Sequence, residues 1–201
     1  MGDLLWPAVT RLGEAQLLLP AMALALLALA RRPESRALAG TWLATTALAA
    51  LLTTATKLAF IGWGLGLASL DFTGISGHAM FSAAILPPLL VVLAQTLRPH
   101  ARVRSGWALG LALAAMVAVS RVAVGAHSWS EVIAGFALGT AASVLARLAG
   151  PLPRTPFARW PAVALLACVP LAVAWAPPSR THDWVTQLAL TASGRTTPHL
   201  R

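Results

Sequence analysis

Two histidines, two cations and one carboxylate are the residues of this chain whose types suit phosphate chemistry. His78 and His127 are candidates for nucleophile and proton donor, because histidine can act as either near neutral pH. Glu131 follows His127 by one helical turn, so its carboxylate can bond one ring nitrogen and leave the other free to attack. Lys57 and Arg121 can neutralise phosphoryl oxygens. Cleavage of a phosphate ester needs a nucleophile, a proton donor for the leaving oxygen and positive charge for the phosphoryl oxygens. These residues can supply all three functions.

These residues fall in short motifs that resemble those of the PAP2 superfamily, the type 2 phosphatidic acid phosphatases. The family pattern reads Lys-x6-Arg-Pro, then Pro-Ser-Gly-His, then Ser-Arg-x5-His-x3-Asp. The resemblance covers roughly residues 57–140. The matching residues are Lys57, Ser76-Gly77-His78 and Ser120-Arg121 with His127 and Glu131.

The resemblance implies a role for each matching residue. His127 would be the nucleophile that forms a phosphohistidine, Glu131 its orienting carboxylate, and His78 the acid that protonates the leaving oxygen. No metal or other cofactor is implied, since cationic side chains take the place that magnesium fills in kinases. The residues expected to hold the phosphate are Lys57, Ser76, Gly77 through its amide, Arg121 and Ser120.

The sequence departs from the family pattern at three places. Gly64-Leu65 stands where the first motif has Arg-Pro, and loss of such a charge donor typically lowers a rate about 100- to 1000-fold. Ile75 replaces a proline, and Glu131 replaces an aspartate. The run 62–66, rich in glycine, predicts either an anion-binding nest of backbone amides or a plain turn at the membrane surface.

Each motif also has a purely structural interpretation. His127 and Glu131 can be a hydrogen-bonded pair that satisfies a helix terminus. Ser76 can cap a helix, which is compatible with phosphate binding because helix-start amides bind anions. Lys57 can extend its ammonium to the membrane interface.

Composition places the chain in a membrane. Hydrophobic residues make up 58% of it, charged residues 10%, and the mean hydropathy is +0.74, far too apolar for a soluble protein of this size. We expect an all-α, polytopic membrane protein with a single domain over residues 1–201, a bundle of six transmembrane helices. The expected spans are roughly 14–30, 38–61, 78–97, 106–123, 130–149 and 160–176.

The net charge of +9 reflects arginines in loops and does not indicate nucleic acid binding. By the positive-inside rule, the loops between spans one and two, three and four, and five and six are cytoplasmic, so both termini lie outside. The motif residues then converge on the outer face, and the polar tail 177–201 lies on that surface. The basic residues of the three loops are Arg31, Arg32, Arg36, Arg98, Arg102, Arg104, Arg147, Arg154 and Arg159.

An active site at the outer interface of a helical bundle receives amphiphiles from the membrane. We therefore expect a phosphorylated lipid as substrate, with undecaprenyl diphosphate first, membrane lipids as partners, and a bacterial inner membrane with the site facing the periplasm. Two other functions stay open, a phosphotransferase that uses the same histidine and a non-catalytic carrier of phosphorylated lipid. The sequence leaves the oligomeric state open.

Overall fold

The computed structural model describes residues 2–97, 103–151 and 181–200. Within these residues the chain is all-helical, with short 3₁₀ turns at Pro33–Ser35 and Ala68–Leu70. The seven described helices are α1 (Gly2–Arg11), α2 (Ala15–Ala30), α3 (Arg36–Trp63), α4 (Gly77–Leu97), α5 (Val103–Ala123), α6 (Trp129–Leu148) and α7 (Thr181–Ser193).

Helices α3 to α6 are long and apolar enough to cross a membrane, and α1 with α2 makes a fifth candidate span if the two count as one. The prediction of an integral membrane helical protein is therefore confirmed. The four spans expected between residues 38 and 149 coincide closely with α3 to α6. The expected span at 160–176 lies outside the described residues.

The first expected span, 14–30, is a broken helix that begins earlier than predicted. Helix α2 has 16 residues and is therefore about 24 Å long, too short for a hydrocarbon core of about 30 Å. Helix α1 extends it across a bend of 40°. At the bend, the amides of Leu12, Gly13 and Glu14 each donate to the carbonyl three residues before. This tight turn ends α1, and the Glu14 carbonyl accepts the first bonds of α2.

Helix α4 is the centre of the bundle and packs against α2, α3, α5 and α6. Its side chains are mostly buried, Met80 and Ile85 completely. The indole of Trp42 on α3 donates to the Ala84 carbonyl at 2.9 Å. Large apolar side chains such as Leu51 and Ile133 face outward, which suits lipid as the surrounding solvent.

Two glycines let α6 approach α4 closely. A Cβ at Gly135 would lie 2.5 Å from the Ser76 carbonyl oxygen, and one at Gly139 would overlap the Met80 carbonyl oxygen. Small residues four apart commonly allow such contact between membrane helices. The close packing holds the start of α6 against the start of α4, where most of the motif residues lie.

Substitution of Gly139 by alanine is expected to destabilise the protein, because the added methyl meets backbone that cannot rotate away. Overpacking of this kind costs about 1 to 3 kcal/mol, which corresponds to a Tm lower by roughly 2 to 12 °C for a chain of this size. Thermal unfolding in detergent measures it. Gly40→Ala is the matched control, since nothing lies within 4 Å of a Cβ there; equal Tm values for the two variants would contradict the packing argument.

The motif residues and the arginine-rich loops lie at opposite ends of the bundle. Ser35 Oγ donates to the Pro151 carbonyl at 3.2 Å, which joins the loop before α3 to the end of α6 and brings Arg36 and Arg147 to one end. The other end holds the end of α3, the start of α4, the end of α5 and the start of α6. Which end faces the cytoplasm stays a prediction.

The described part of the tail packs against the end of α3. Helix α7 lies along α3, and a Cβ at Gly62 would be 3.3 Å from the Ala189 carbonyl oxygen. The amide of His199 donates to the Ile61 carbonyl at 3.0 Å. The tail therefore belongs to the same end of the bundle as the motif residues.

Candidate active site

The turn between α5 and α6 brings three motif residues together. The carbonyl of Arg121 accepts hydrogen bonds from the amides of Ala126 at 3.0 Å and His127 at 3.2 Å. Gly125 adopts a φ of +69°, which glycine tolerates without strain. Helix α6 then begins with a capping box, in which Ser128 and Glu131 bond each other's backbone amides.

His127 and Glu131 form a short hydrogen bond. The Nδ1 of His127 lies 2.6 Å from Oε2 of Glu131, and the two side chains are 13% and 1% exposed. An ionised carboxylate can only accept, so we assign the proton to Nδ1. The other ring nitrogen, Nε2, is then unprotonated and available as a nucleophile.

The carboxylate of Glu131 is held on both oxygens. Oε1 accepts from the amide of Thr73 at 2.7 Å and from its hydroxyl at 2.6 Å. Oε2 accepts from the amide of Ser128 at 3.2 Å as well as from His127. Sequence reasoning missed Thr73, for which the only hint is a hydroxyl residue three positions before Ser76. Four donors on two oxygens fix the carboxylate, and through it the histidine ring.

The start of α4 is tied to its neighbours by backbone bonds. The amide of Ser76 donates to the Glu131 carbonyl at 3.1 Å, and the amide of Ile75 donates to the hydroxyl of Thr56 at 3.1 Å. The Ser76 hydroxyl is buried and has no hydrogen-bond partner among the described residues. A Cβ at Gly77 would meet only Thr53, at 3.9 Å. An open helix start with an unused hydroxyl suits an anion.

The cationic side chains come to the same place. Lys57 packs against Gly74, where a Cβ would be 3.0 Å from Lys57 Cγ. His78 and His127 each lie close enough to Lys57 and Arg121 to interact with them electrostatically. Arg121 Nη1 donates to the hydroxyl of Thr10 at 2.9 Å, while its Nε is buried without a described partner.

The structure thus gathers all but one of the predicted site residues into one cluster, in which the Ser76 hydroxyl and Arg121 Nε have no partner among the described residues. Ser120 is the exception, because its buried hydroxyl donates to the Val117 carbonyl at 2.6 Å within α5. In this conformation it has no proton left for a phosphate, and its role in phosphate binding stays a prediction. The gathered residues are Lys57, Ser76, Gly77, His78, Arg121, His127 and Glu131.

Of the two interpretations of 62–66, the anion nest is wrong, and the structure has a turn that ends α3. Gly64 adopts a φ of +71° and ends α3, and the amides of Gly64, Leu65 and Leu67 all donate to backbone carbonyls. This is the usual way a helix satisfies its last carbonyls, and it leaves no run of free amides. The ring of His199 lies beside Gly64 instead, 3.2 Å from where a Cβ would be.

Within the described ranges, no group of three or more His, Cys, Asp or Glu side chains is arranged to hold a metal ion. The cluster contains the side chains of Lys57 and Arg121, the Ser76 hydroxyl and the amides at the start of α4. All of these groups are hydrogen-bond donors, the type that a negatively charged ligand needs.

Comparison with known proteins agrees with the motifs. A relative from Klebsiella pneumoniae, "Uncharacterized 22.5 kDa protein in cps region", is 40% identical over 169 residues, which is 83% of this chain and 80% of the relative. No solved structure matches the chain. The family model of the PAP2 superfamily matches residues 32–152, more than half of the chain. The chain therefore belongs to the PAP2 superfamily.

Proposed function

We propose that this protein is a membrane phosphatase that hydrolyses a lipid phosphate or diphosphate through a phosphohistidine on His127. Members of the PAP2 superfamily are phosphatases that act on lipid phosphates. The observation that carries the proposal for this chain is the 2.6 Å bond between His127 and a fully held Glu131, beside Lys57 and Arg121. A binder has little need of a nucleophile with its own orienting carboxylate.

The proposed reaction has two steps. In the first, Nε2 of His127 attacks phosphorus, the bond from phosphorus to the leaving oxygen breaks, and His78 gives that oxygen its proton. In the second, water attacks the phosphohistidine, His78 takes a proton from the water, and inorganic phosphate leaves. The negative charge of the substrate favours the protonated imidazole that His78 needs at the start.

The remaining groups stabilise charge on the phosphoryl oxygens. Lys57 and Arg121 supply positive charge, and the Ser76 hydroxyl and the amide of Gly77 supply hydrogen bonds. Two of these donors are fixed before the substrate arrives, because the Ser76 amide bonds the Glu131 carbonyl and Arg121 bonds Thr10. We propose that the reaction needs no metal ion.

The membrane setting supports an amphiphilic substrate. The site lies at one end of a bundle with apolar outward faces, so a lipid in the bilayer reaches it with its phosphate at headgroup depth and its chains in lipid. We propose undecaprenyl diphosphate first among such lipids and place the site on the periplasmic side of a bacterial inner membrane.

The test is phosphate release by the purified protein in detergent from a panel of lipid phosphates and diphosphates, with EDTA and without added metal. Release that His127→Ala abolishes and His182→Ala retains would support the proposal, since His182 is an exposed histidine outside the cluster. Phosphorylated acceptor without matching free phosphate would indicate the phosphotransferase. Lipid binding that survives His127→Ala, with no turnover in the parent, would indicate a carrier.

The pH dependence of kcat/KM is expected to have its acid limb below pH 6.5. Burial lowers the pKa of His127 below the ordinary value of 6.5, and its hydrogen bond to Glu131 acts in the opposite direction. Protonated His127 cannot attack, so the rate is retained above this pKa and falls as pH drops through it. An acid limb centred above pH 6.5 would contradict the assignment of His127 as the neutral nucleophile.

A further inference from the structure

The broken N-terminal helix reaches the candidate site, although it lies before the residues that match the family model. Thr10 Oγ1 accepts the hydrogen bond of Arg121 Nη1 at 2.9 Å. Three residues later, a Cβ at Gly13 would lie 3.3 Å from His78 Cβ and 3.0 Å from Ser82 Oγ. The bend between α1 and α2 therefore contacts both a cation and a histidine of the site.

The bond to Thr10 determines which edge of Arg121 remains available. A guanidinium is planar and donates hydrogen bonds along its edges. Thr10 binds Nη1, so the edge formed by Nε and Nη2 is the one in question. The Nε of Arg121 is buried and has no partner among the described residues. A buried cationic donor without a partner is unfavourable, and a phosphoryl oxygen on this edge would satisfy it.

A negative charge at the bend supports the same arrangement. Glu14 is 8% exposed and close enough to Arg121 for their charges to interact. Its carboxylate accepts a hydrogen bond from Gln16 at 2.6 Å and lies 3.8 Å from Arg11 Nε. Held in this way, Glu14 compensates the buried charge of Arg121 from a distance and leaves the guanidinium edge to a ligand.

We propose that Thr10 is a positioning residue, which fixes Arg121 so that its Nε edge meets the phosphoryl group. The inference rests on the proposed function. The broken helix α1–α2 thus forms one wall of the active site, with Gly13 providing the close approach to His78. Thr10 acts through Arg121 and does not itself contact the substrate.

The first test replaces Thr10 with valine, which keeps the shape of the side chain and removes the acceptor. We expect kcat to fall about 10-fold, the typical effect of one hydrogen bond to a charged group. KM should change much less, because Arg121 meets oxygens whose charge grows in the transition state. Thr10→Ser should restore the rate. Thr96→Val is the matched control, a buried threonine that bonds the Val92 carbonyl at the other end of α4.

The second test separates positioning from folding by combining Thr10→Val with Arg121→Ala, measured with ³²P-labelled substrate. If Thr10 acts through Arg121, Thr10→Val has no further effect on kcat in the Arg121→Ala background. A 10-fold effect in both backgrounds, or an unchanged kcat in Thr10→Val alone, overturns the inference and leaves the phosphatase intact. A folded parent that releases no phosphate from any lipid in the panel overturns the proposed function, and the inference with it.

Discussion

Replacement of His127 by alanine is expected to lower kcat/KM by about 10⁴- to 10⁶-fold, the range seen when a nucleophile is removed from a preorganised site. No other described group has the same position, since the ring is fixed by Glu131 at 2.6 Å. The variant should also lose the covalent phosphoryl label that the parent acquires from a ³²P-labelled lipid phosphate. A phosphohistidine is stable to alkali and labile to acid, so quenching in alkali preserves the label.

A comparison of leaving groups sharpens this prediction. para-Nitrophenolate leaves without a proton, so His78→Ala should still be labelled by para-nitrophenyl phosphate while it fails to turn over the lipid. His127→Ala should be labelled by neither. His182→Ala, an exposed histidine on α7, serves as the matched control and should behave as the parent. A label retained in His127→Ala would place the nucleophile elsewhere.

Replacement of Glu131 by glutamine is expected to lower kcat by about 10³- to 10⁴-fold, as the corresponding acid-to-amide change does in serine proteases. The amide keeps the size of the side chain, but all its neighbours are donors: Thr73 twice, Ser128 and His127. The amide nitrogen, itself a donor, must therefore face at least one of these donors without a hydrogen bond. If it faces His127, the ring takes the other tautomer and Nε2 carries the proton, which prevents attack.

The thermal stability of Glu131→Gln and the activity of Glu131→Asp are the controls for this prediction. A buried donor left without an acceptor costs about 1 to 3 kcal/mol, so the Tm of Glu131→Gln should fall modestly while the protein stays folded. Glu131→Asp keeps the negative charge and restores the family residue, and we expect it to retain most of the activity. A Glu131→Gln variant with the kcat of the parent would show that the carboxylate does not orient the nucleophile.

The sequence predicts local features of this fold well and contacts between distant segments poorly. Hydropathy located α3 to α6 because each is a continuous apolar run, and spacing placed His127 and Glu131 on one helix face. The bend at Gly13 was missed, since Gly13 lies between Arg11 and Glu14, in a polar stretch that precedes the expected span 14–30. For the 62–66 run the sequence left a nest of free amides and a plain turn equally open, and helix termination uses the amides of Gly64 and Leu65.

The contacts that hold the site together join residues far apart in the sequence, so the spacing of residues does not reveal them. Thr73 reaches Glu131 across 58 residues, and Thr10 reaches Arg121 across 111. Threonine is common and its hydroxyl finds many partners, so neither residue stands out in one sequence. Only the packing of α1, α4, α5 and α6 brings these hydroxyls to the charged groups.

The bond from the Thr73 amide to Glu131 also provides a spectroscopic reporter of the site. A short hydrogen bond to a carboxylate, here 2.7 Å, moves the amide proton resonance downfield and slows its exchange with water. The Thr73 amide bonds Oε1 of Glu131 while His127 bonds Oε2, so this resonance responds to the charge of the pair. In a protein labelled with ¹⁵N, it allows phosphate analogues and lipids to be screened for binding before any turnover is known.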